Sequence, residues 1–491
     1  MHPHHRPTGR RGLLVALVAA AAALAGCGTR LPDQTIIQAA GGGPVTIGTT
    51  AVPAGQEPPA AGASGGVAPS VVPEAPLSTI GPTGAAPVPG APTQPVTGPA
   101  ATGGARATSG STPSAQATSA AAGGDHTPLV IGQVGEFSGI VGAAQSSAQP
   151  ALLAWVKYIN SNGGIAGHPV VLYSDDVQGS AQQAAADVQD LVENKKAQAI
   201  VGGFVPNTIT GIEPYINQHK IPVVGGDQVT SDWSVQPYFY GEGTDISAAT
   251  FGILHNAAQL GKTKMAVFYC IESSACQFAD DNANKDAGPA GVTIVDQEKI
   301  SLGQADFTSN CLQASSKGAN VIFVGADGAT IGRVADSCAR QNYHPLFVTS
   351  ALAVTNDQAA NPLLDGMTIV ATVFPWMLGD TPAEQAYLTA MDHYAHGTVL
   401  SGASAEAWTS GMLFKAAVER LGTAATRGPV TTAMILQGLS MIRGETLAGL
   451  APPSLNFNAG KPVTPDVCYF VAAIHGGKWT APYGNKTFCK P

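Results

Sequence analysis

Six cysteines in the C-terminal half carry the plainest chemistry in the chain: Cys270, Cys276, Cys311, Cys338, Cys468 and Cys489. Thiols of this kind either ligate a metal or pair with one another. Zinc needs C-x-x-C pairs or neighbouring histidines, and the sequence offers neither around these positions. No metal set is assigned, no cofactor is expected, and structural disulfides are the reading. Six thiols allow many connectivities; closeness in sequence favours 270–276, 311–338 and 468–489. The tools of catalysis are missing. After residue 127 there is no G-x-x-x-x-G-K-[ST], no H-E-x-x-H and no G-x-S-x-G, and no G-x-G-x-x-G opens a helix after the first strand. Asp175 and Asp176 form a carboxylate pair, but adjacent residues on a strand point to opposite faces, which weakens the case for a shared acid–base site. The chain is not expected to be an enzyme. A formal net charge of −9 with 12% charged residues, and no Lys/Arg block, argues against nucleic acid as a partner.

The seventh cysteine stands apart. Arg6, Arg10 and Arg11 precede GLLVALVAAAAALAG, residues 12–26, and Cys27 follows at once. A basic start and an uncharged apolar run make an export signal, and the run is shorter than the roughly 20 residues a spanning helix needs. Leu24-Ala25-Gly26-Cys27 resembles a bacterial lipobox. Residues 1–26 are therefore expected to be a lipoprotein signal peptide, and Cys27 the lipidation site that moors the protein to the extracytoplasmic face of the membrane, its sole membrane contact. Residues 27–126 are dominated by Ala, Gly, Pro, Ser, Thr and Val, with charges only at Arg30, Asp33, Glu57, Glu74, Arg106 and Asp125. Such a composition does not bury enough surface to offset ordering entropy. The segment reads as a disordered tether, with a glycosylated stalk as the rival; at about 5–6 Å times the square root of length its mean span is about 55 Å. Outside the cytoplasm disulfides persist, in keeping with the six later cysteines.

The elements that must position any site begin near residue 127. PLVIGQVGEF (128–137) reads as a buried strand. SAQPALLAWVKYINSNGG (147–164) has apolar residues at 152, 153, 155, 156 and 159, a helical spacing stopped by a double glycine. HPVVLYSDD, AQAIVGG and IPVVGG read as strands, with helices between them capped by Ser180 and Asn207. The rhythm repeats from residue 246: strands at 264–270, 292–300, 320–325 and 345–351 alternate with helices, including one over 277–288. Such alternation implies parallel sheets flanked by helices. A stretch of some 360 residues usually splits into more than one core. The fold class expected is α/β with two Rossmann-like lobes joined by hinge strands. Residues 127–491 form the domain, with lobe one at about 127–245 and lobe two at about 246–366, each completed by later segments. A hairpin-like element at 468–480 closes the chain.

The run from Val130 to Gln178 is similar to the start of a leucine-type solute-binding protein of the ABC-transporter periplasmic-binding family, type I fold. The resemblance rests on Glu136-Phe137-Ser138-Gly139, on Ile159-Asn160 with Gly163-Gly164-Ile165-Ala166-Gly167, on Asp175-Asp176, and on the IVGG and KIPVVGG strand ends. It implies a monomer whose lobes close on a small polar solute and hand it to an ABC permease, a branched-chain amino acid or a related amide or organic acid. A ligand-sensing lipoprotein of the same fold is the alternative. Loops at the carboxyl ends of parallel strands carry the binding groups in such folds. Ser138, Gln145, Asn207, Thr208, Asp227 and Gln228 are the candidates in lobe one, and Ser274 and Asp327 in lobe two. Asn207 and Thr208 would bind a carboxylate or cap a helix; Asp227 and Asp327 would attract an ammonium or cap. In the resemblance, the acid that holds an amino-acid ammonium falls at Thr349-Ser350-Ala351-Leu352, which contains none. Amides, urea-like compounds, aromatic acids and short peptides therefore stay open.

Overall fold

The computed structural model describes residues 126–491 apart from residue 454. The signal segment, Cys27 and the tether lie outside the described residues. The first sheet holds β1 (Leu129–Gly135), β2 (Val170–Asp176), β3 (Ala199–Gly203), β4 (Val223–Gly226) and β5 (Phe239–Tyr240) in the order β2-β1-β3-β4-β5. All its pairings are parallel. The helical spacing after β1 produces helix Ala148–Ser161, which buries Leu152, Trp155, Val156 and Ile159. Gly163 and Gly164 then take φ of 91° and 78°, and a Cβ on Gly164 would strike the His168 carbonyl. The helix stops there because only glycine fits that turn. Ser180 caps the next helix, accepting from Gln183 N at 3.2 Å.

The second sheet holds β6 (Lys264–Cys270), β7 (Thr293–Ile300), β8 (Val321–Gly325), β9 (Leu346–Ser350), β10 (Thr368–Ala371), β11 (Cys468–His475) and β12 (Lys478–Thr480), with β13 (Phe488–Cys489) beside β11. Strands β6 to β10 run parallel, and the C-terminal strands add antiparallel. The all-parallel pattern therefore ends at β10, and the sheet is mixed. The hairpin expected near the end is β11–β12.

The chain passes between the sheets after β5, after β10 and before β11. These three connectors are tied together: Thr244 N donates to Thr372 O at 3.0 Å, Phe374 N to Leu450 O at 2.8 Å, and the Thr244 hydroxyl to the Cys468 carbonyl. Between the second and third passages, helices Pro382–Tyr394 and Gly402–Glu419 return to pack on the first lobe, against helix Ala148–Ser161 and, for the longer one, β3 and β4. That approach is close. Gly225 in β4 has φ of 70°, and a Cβ there would lie 2.1 Å from Ser410 Oγ.

The three disulfides are Cys270–Cys276, Cys311–Cys338 and Cys468–Cys489, the pairs that closeness in sequence favours. Two local expectations are corrected. Helix Ser274–Ala290 starts three residues earlier than the expected 277, because Ser273 caps it. The helix expected from residue 207 is Ile209–His219, with Thr208 and not Asn207 at the N-cap position; Asn207 is drawn away by the bonds described below.

Candidate functional site

Between the lobes lies a cavity of about 130 Å³. Lobe one contributes Val141, Ala144 and Gln145 from the segment after β1, Pro206 after β3 and Val229 after β4. Lobe two contributes Cys270 and Cys276, Ser273, Leu302, Phe323, Asp327, Thr349, Ser350 and Leu352, mostly at the carboxyl ends of β6, β8 and β9. Ile246, just past the first connector, completes the wall. The position is where open parallel sheets take ligands, and the lining is mostly hydrocarbon.

The polar side chains of that wall are engaged in holding the backbone. Asp327 accepts from Thr330 N at 3.0 Å and from the Thr330 hydroxyl at 2.9 Å, capping helix Gly328–Ala339. Ser273 accepts from Ala275 N at 3.3 Å, and Ser350 from Leu352 N at 3.2 Å. The Thr349 hydroxyl donates to Val324 O at 2.7 Å. Gln145 differs: Nε2 donates to Asp227 Oδ2 at 3.4 Å, while Oε1 is buried without a hydrogen-bond partner.

Beside the cavity the lobes touch. The Glu136 carboxylate, fully buried, accepts from Asn207 N at 2.9 Å, Asn207 Nδ2 at 3.0 Å and the Thr208 hydroxyl at 3.1 Å. Asn207 Oδ1 in turn accepts from Ser274 N of the other lobe at 3.2 Å, and the Ser274 hydroxyl donates to Pro206 O at 3.1 Å.

Behind the cavity, toward the connectors, sits a group of buried acids. Asp227 accepts from Trp233 Nε1 at 3.1 Å and Val229 N at 3.4 Å; burial pushes its carboxyl up to about 7, against the bond from Val229 and with a further push from Glu136. Glu242 accepts from Gly226 N at 3.0 Å and Gln228 Nε2 at 3.0 Å, and burial pushes it up to about 8. Glu406 takes the Thr372 hydroxyl at 2.5 Å; burial first, and the charge of Glu242 second, hold it well above the ordinary range. Desolvation disfavours the ionised forms of all three, so Glu242 and Glu406 favour the neutral form near pH 7 while Asp227 titrates there.

Of the residues singled out from sequence, Gln145 and Asp327 line the cavity. Asn207, Thr208 and Ser274 meet next to it, through Glu136. Asp227 and Gln228 lie behind the wall, bonded to Trp233 and Glu242. Ser138 is exposed on the loop after β1. Sequence reasoning missed Glu136, Glu242 and Glu406. A signal existed for Glu136, an acid directly after a buried strand, but Glu406 sits in a helix with no partner nearby in sequence. The hydrocarbon wall was also missed, since Val141, Val229, Phe323 and Leu352 read as ordinary core. Among the described residues no helix is long and apolar enough to cross a membrane, and no cluster of His, Cys, Asp and Glu is suited to a metal ion.

The family model of periplasmic binding proteins matches residues 128–456. No curated protein matches the chain. Solved structures share the fold. An ABC-transporter solute-binding protein from R. palustris in complex with benzoate is 14% identical, with a TM-score of 0.60 over 74% of this chain and 98% of its own. A fatty acid ABC transporter substrate-binding protein from Thermomonospora curvata is 16% identical, TM-score 0.63, covering 75% of this chain and 94% of its own. A possible leucine/isoleucine/valine-binding protein from Rhodopirellula baltica SH 1 is 14% identical, TM-score 0.62, covering 73% and 96%. The common architecture is the two-lobed α/β fold of type I periplasmic binding proteins.

Proposed function

We propose that this chain, which belongs to the periplasmic binding protein family, captures a small solute with a largely apolar body between its lobes and delivers it to an ABC permease. Families of this kind bind and do not catalyse. The capture site is extracytoplasmic, and Cys27 carries the lipid that moors it. The carrying observation is the composition of the cavity wall, hydrocarbon with its hydroxyls and Asp327 engaged in capping. Within the expected range of small polar solutes this favours one with a ring or a short branched chain and one polar end.

Size supports the same reading. A dry cavity of about 150 Å³ lined by aliphatic side chains takes one benzene ring, and this one is about 130 Å³. An aromatic group buries about 150–250 Å², which at about 25 cal/mol per Å² contributes about 4–6 kcal/mol. Micromolar affinity needs about 8 kcal/mol, so the polar end must supply the rest. Gln145, whose Oε1 has no partner, is the group placed to orient it. Because the wall comes from both lobes, the solute stabilises the closed form over the open one, which is the condition for a ligand-driven closure. Benzoate and fatty acids are the solutes named for two of the neighbours by fold.

The test is a thermal-shift panel of benzoate, octanoate, leucine, acetamide and glucose on the purified protein. A ligand at 100 times its Kd stabilises the native state by about 2.7 kcal/mol. Benzoate, octanoate or leucine is expected to raise Tm, and Ala144→Phe, which fills the cavity from lobe one, is expected to abolish the rise. A panel in which only glucose or acetamide shifts Tm refutes an apolar site.

A further inference from the structure

We infer that Asn207 and Ser274 form a solute-independent latch between the lobes, with Glu136 as its positioning residue, and that this latch sets how often the empty protein is closed. The inference rests on the reading of this chain as a closing solute trap, and it gives two residues first taken for ligand contacts a different task.

Every polar group on the Asn207 side chain, and its backbone N–H, is accounted for. The backbone N–H and Nδ2 donate to the two oxygens of Glu136, and Oδ1 accepts from Ser274 N. Glu136 is fully buried and also takes the Thr208 hydroxyl, so it fixes the rotamer of Asn207 within lobe one and aims Oδ1 across the gap. On the other side, Ser274 is the first residue of helix Ser274–Ala290. The first N–H groups of a helix have no intrahelical acceptor. Ala275 N is met by its own cap, Ser273; Ser274 N is met by the opposite lobe. The Ser274 hydroxyl adds a second bond across the gap, to Pro206 O. The Cys270–Cys276 bridge ties this loop to the end of β6, so neither half of the latch has to be ordered by a solute.

Opening replaces these two bonds by bonds to water. A neutral protein hydrogen bond shifts an equilibrium by about fivefold net. Apparent affinity scales with the closed fraction, so the latch raises affinity for every solute alike and does not choose between them.

The experiment is hydrogen exchange by mass spectrometry on the full chain with no solute present, read on peptides covering Ser274 and the cavity loops 141–145 and 350–353. Asn207→Ala is expected to speed exchange at Ser274 and at both loops by about fivefold or more. Glu136→Gln is expected to speed exchange at Ser274, although it touches nothing in lobe two. Ser274→Pro removes the donor while suiting the first helical position, where proline is tolerated, and is expected to speed both cavity loops with the helix intact by circular dichroism. It carries the test should Asn207→Ala fail to fold. Unchanged exchange at the cavity loops in Ser274→Pro overturns the latch. Since no solute is used, that outcome leaves the benzoate panel to judge the capture reading separately.

Discussion

Glu242→Gln separates a neutral buried acid from an ionised one. Glu242 is fully buried where the first connector leaves β5. Its Oε1 lies 3.1 Å from the Ser410 hydroxyl, and that hydroxyl also lies 2.8 Å from the Glu406 carbonyl. A hydroxyl has one hydrogen and the carbonyl only accepts. That hydrogen is shared between the Glu406 carbonyl and Glu242 Oε1 and favours the ionised form, so the raised value of Glu242 comes from its burial. Glutamine in the same pose donates from Nε2 to Ser410 and keeps its oxygen for Gly226 N and Gln228, so the shape and the bonds survive. The sign follows from linkage. Burial raises the native value from 4.5 to about 8, so between those values the native state holds a proton the unfolded state has released. Stability from this group is whole below about pH 4.5 and is lost as pH rises through about 8. The span of about 3.5 units, at about 1.36 kcal/mol each, sets a ceiling of about 5 kcal/mol. For about 360 residues at about 2.1 cal/mol/K each, that is about 6 °C in Tm. The assay is differential scanning fluorimetry of wild type and Glu242→Gln from pH 5 to 9. The two are expected to melt within about 2 °C at pH 5, and the variant is expected to gain on wild type by about 4–6 °C by pH 8.5. Asp227 and Glu406 titrate in both proteins, so the difference isolates Glu242 and its coupling to them. Parallel curves, or a gap that favours wild type more as pH rises, refute the neutral acid.

Three further outcomes are expected. Gly225→Ala places a methyl group on Ser410 at a φ of 70°, and the combined strain and overpacking is expected to cost about 2–4 kcal/mol in a urea melt. Replacing Cys311 and Cys338 by serine opens a loop of 27 residues and is expected to cost about 3–4 kcal/mol, whereas the Cys270/Cys276 pair, 6 apart, is expected to cost about 2 kcal/mol, both read by denaturant unfolding under non-reducing conditions. If Cys27 carries the lipid as proposed, Cys27→Ser is expected to move the protein from the membrane fraction to the soluble fraction on immunoblotting of fractionated cells.

Most of the architecture was legible because it is written in local patterns. The apolar spacing of 152, 155, 156 and 159 is the buried face of helix Ala148–Ser161, and the double glycine ends it where only glycine fits. Strand runs such as VVLYSDD and VIFVG are bounded by turns, and their alternation with helices dictates parallel sheets. The disulfides followed from closeness in sequence, which here coincides with neighbouring elements. What local patterns do not carry is the return of helices Pro382–Tyr394 and Gly402–Glu419 to the first lobe. Nothing in GASAEAWTSGMLF distinguishes packing on one sheet from packing on the other; the informative residue is Gly225, far away in sequence, whose missing side chain admits Ser410.

The site was less legible for a related reason. A polar residue at a strand end looks the same in sequence whether it meets a solute, caps a helix or bonds the opposite lobe. Asp327 and Ser350 cap, Asn207 and Ser274 bridge, and Gln145 alone among the expected residues lines the cavity with an oxygen unpartnered. The converse error concerns the wall. Val141, Val229, Phe323 and Leu352 carry the same side chains as core residues; only the gap between lobes, set by three connectors and the bonds between the lobes, makes them a surface for something else. A binding site built on capped hydroxyls and hydrocarbon has no motif, because its selectivity resides in the shape left over when two lobes meet. Substitutions that change that shape without changing polarity, Ala144→Phe foremost, are therefore expected to weaken solute binding, read by thermal shift, more than removal of any one of the capped polar groups at its edge.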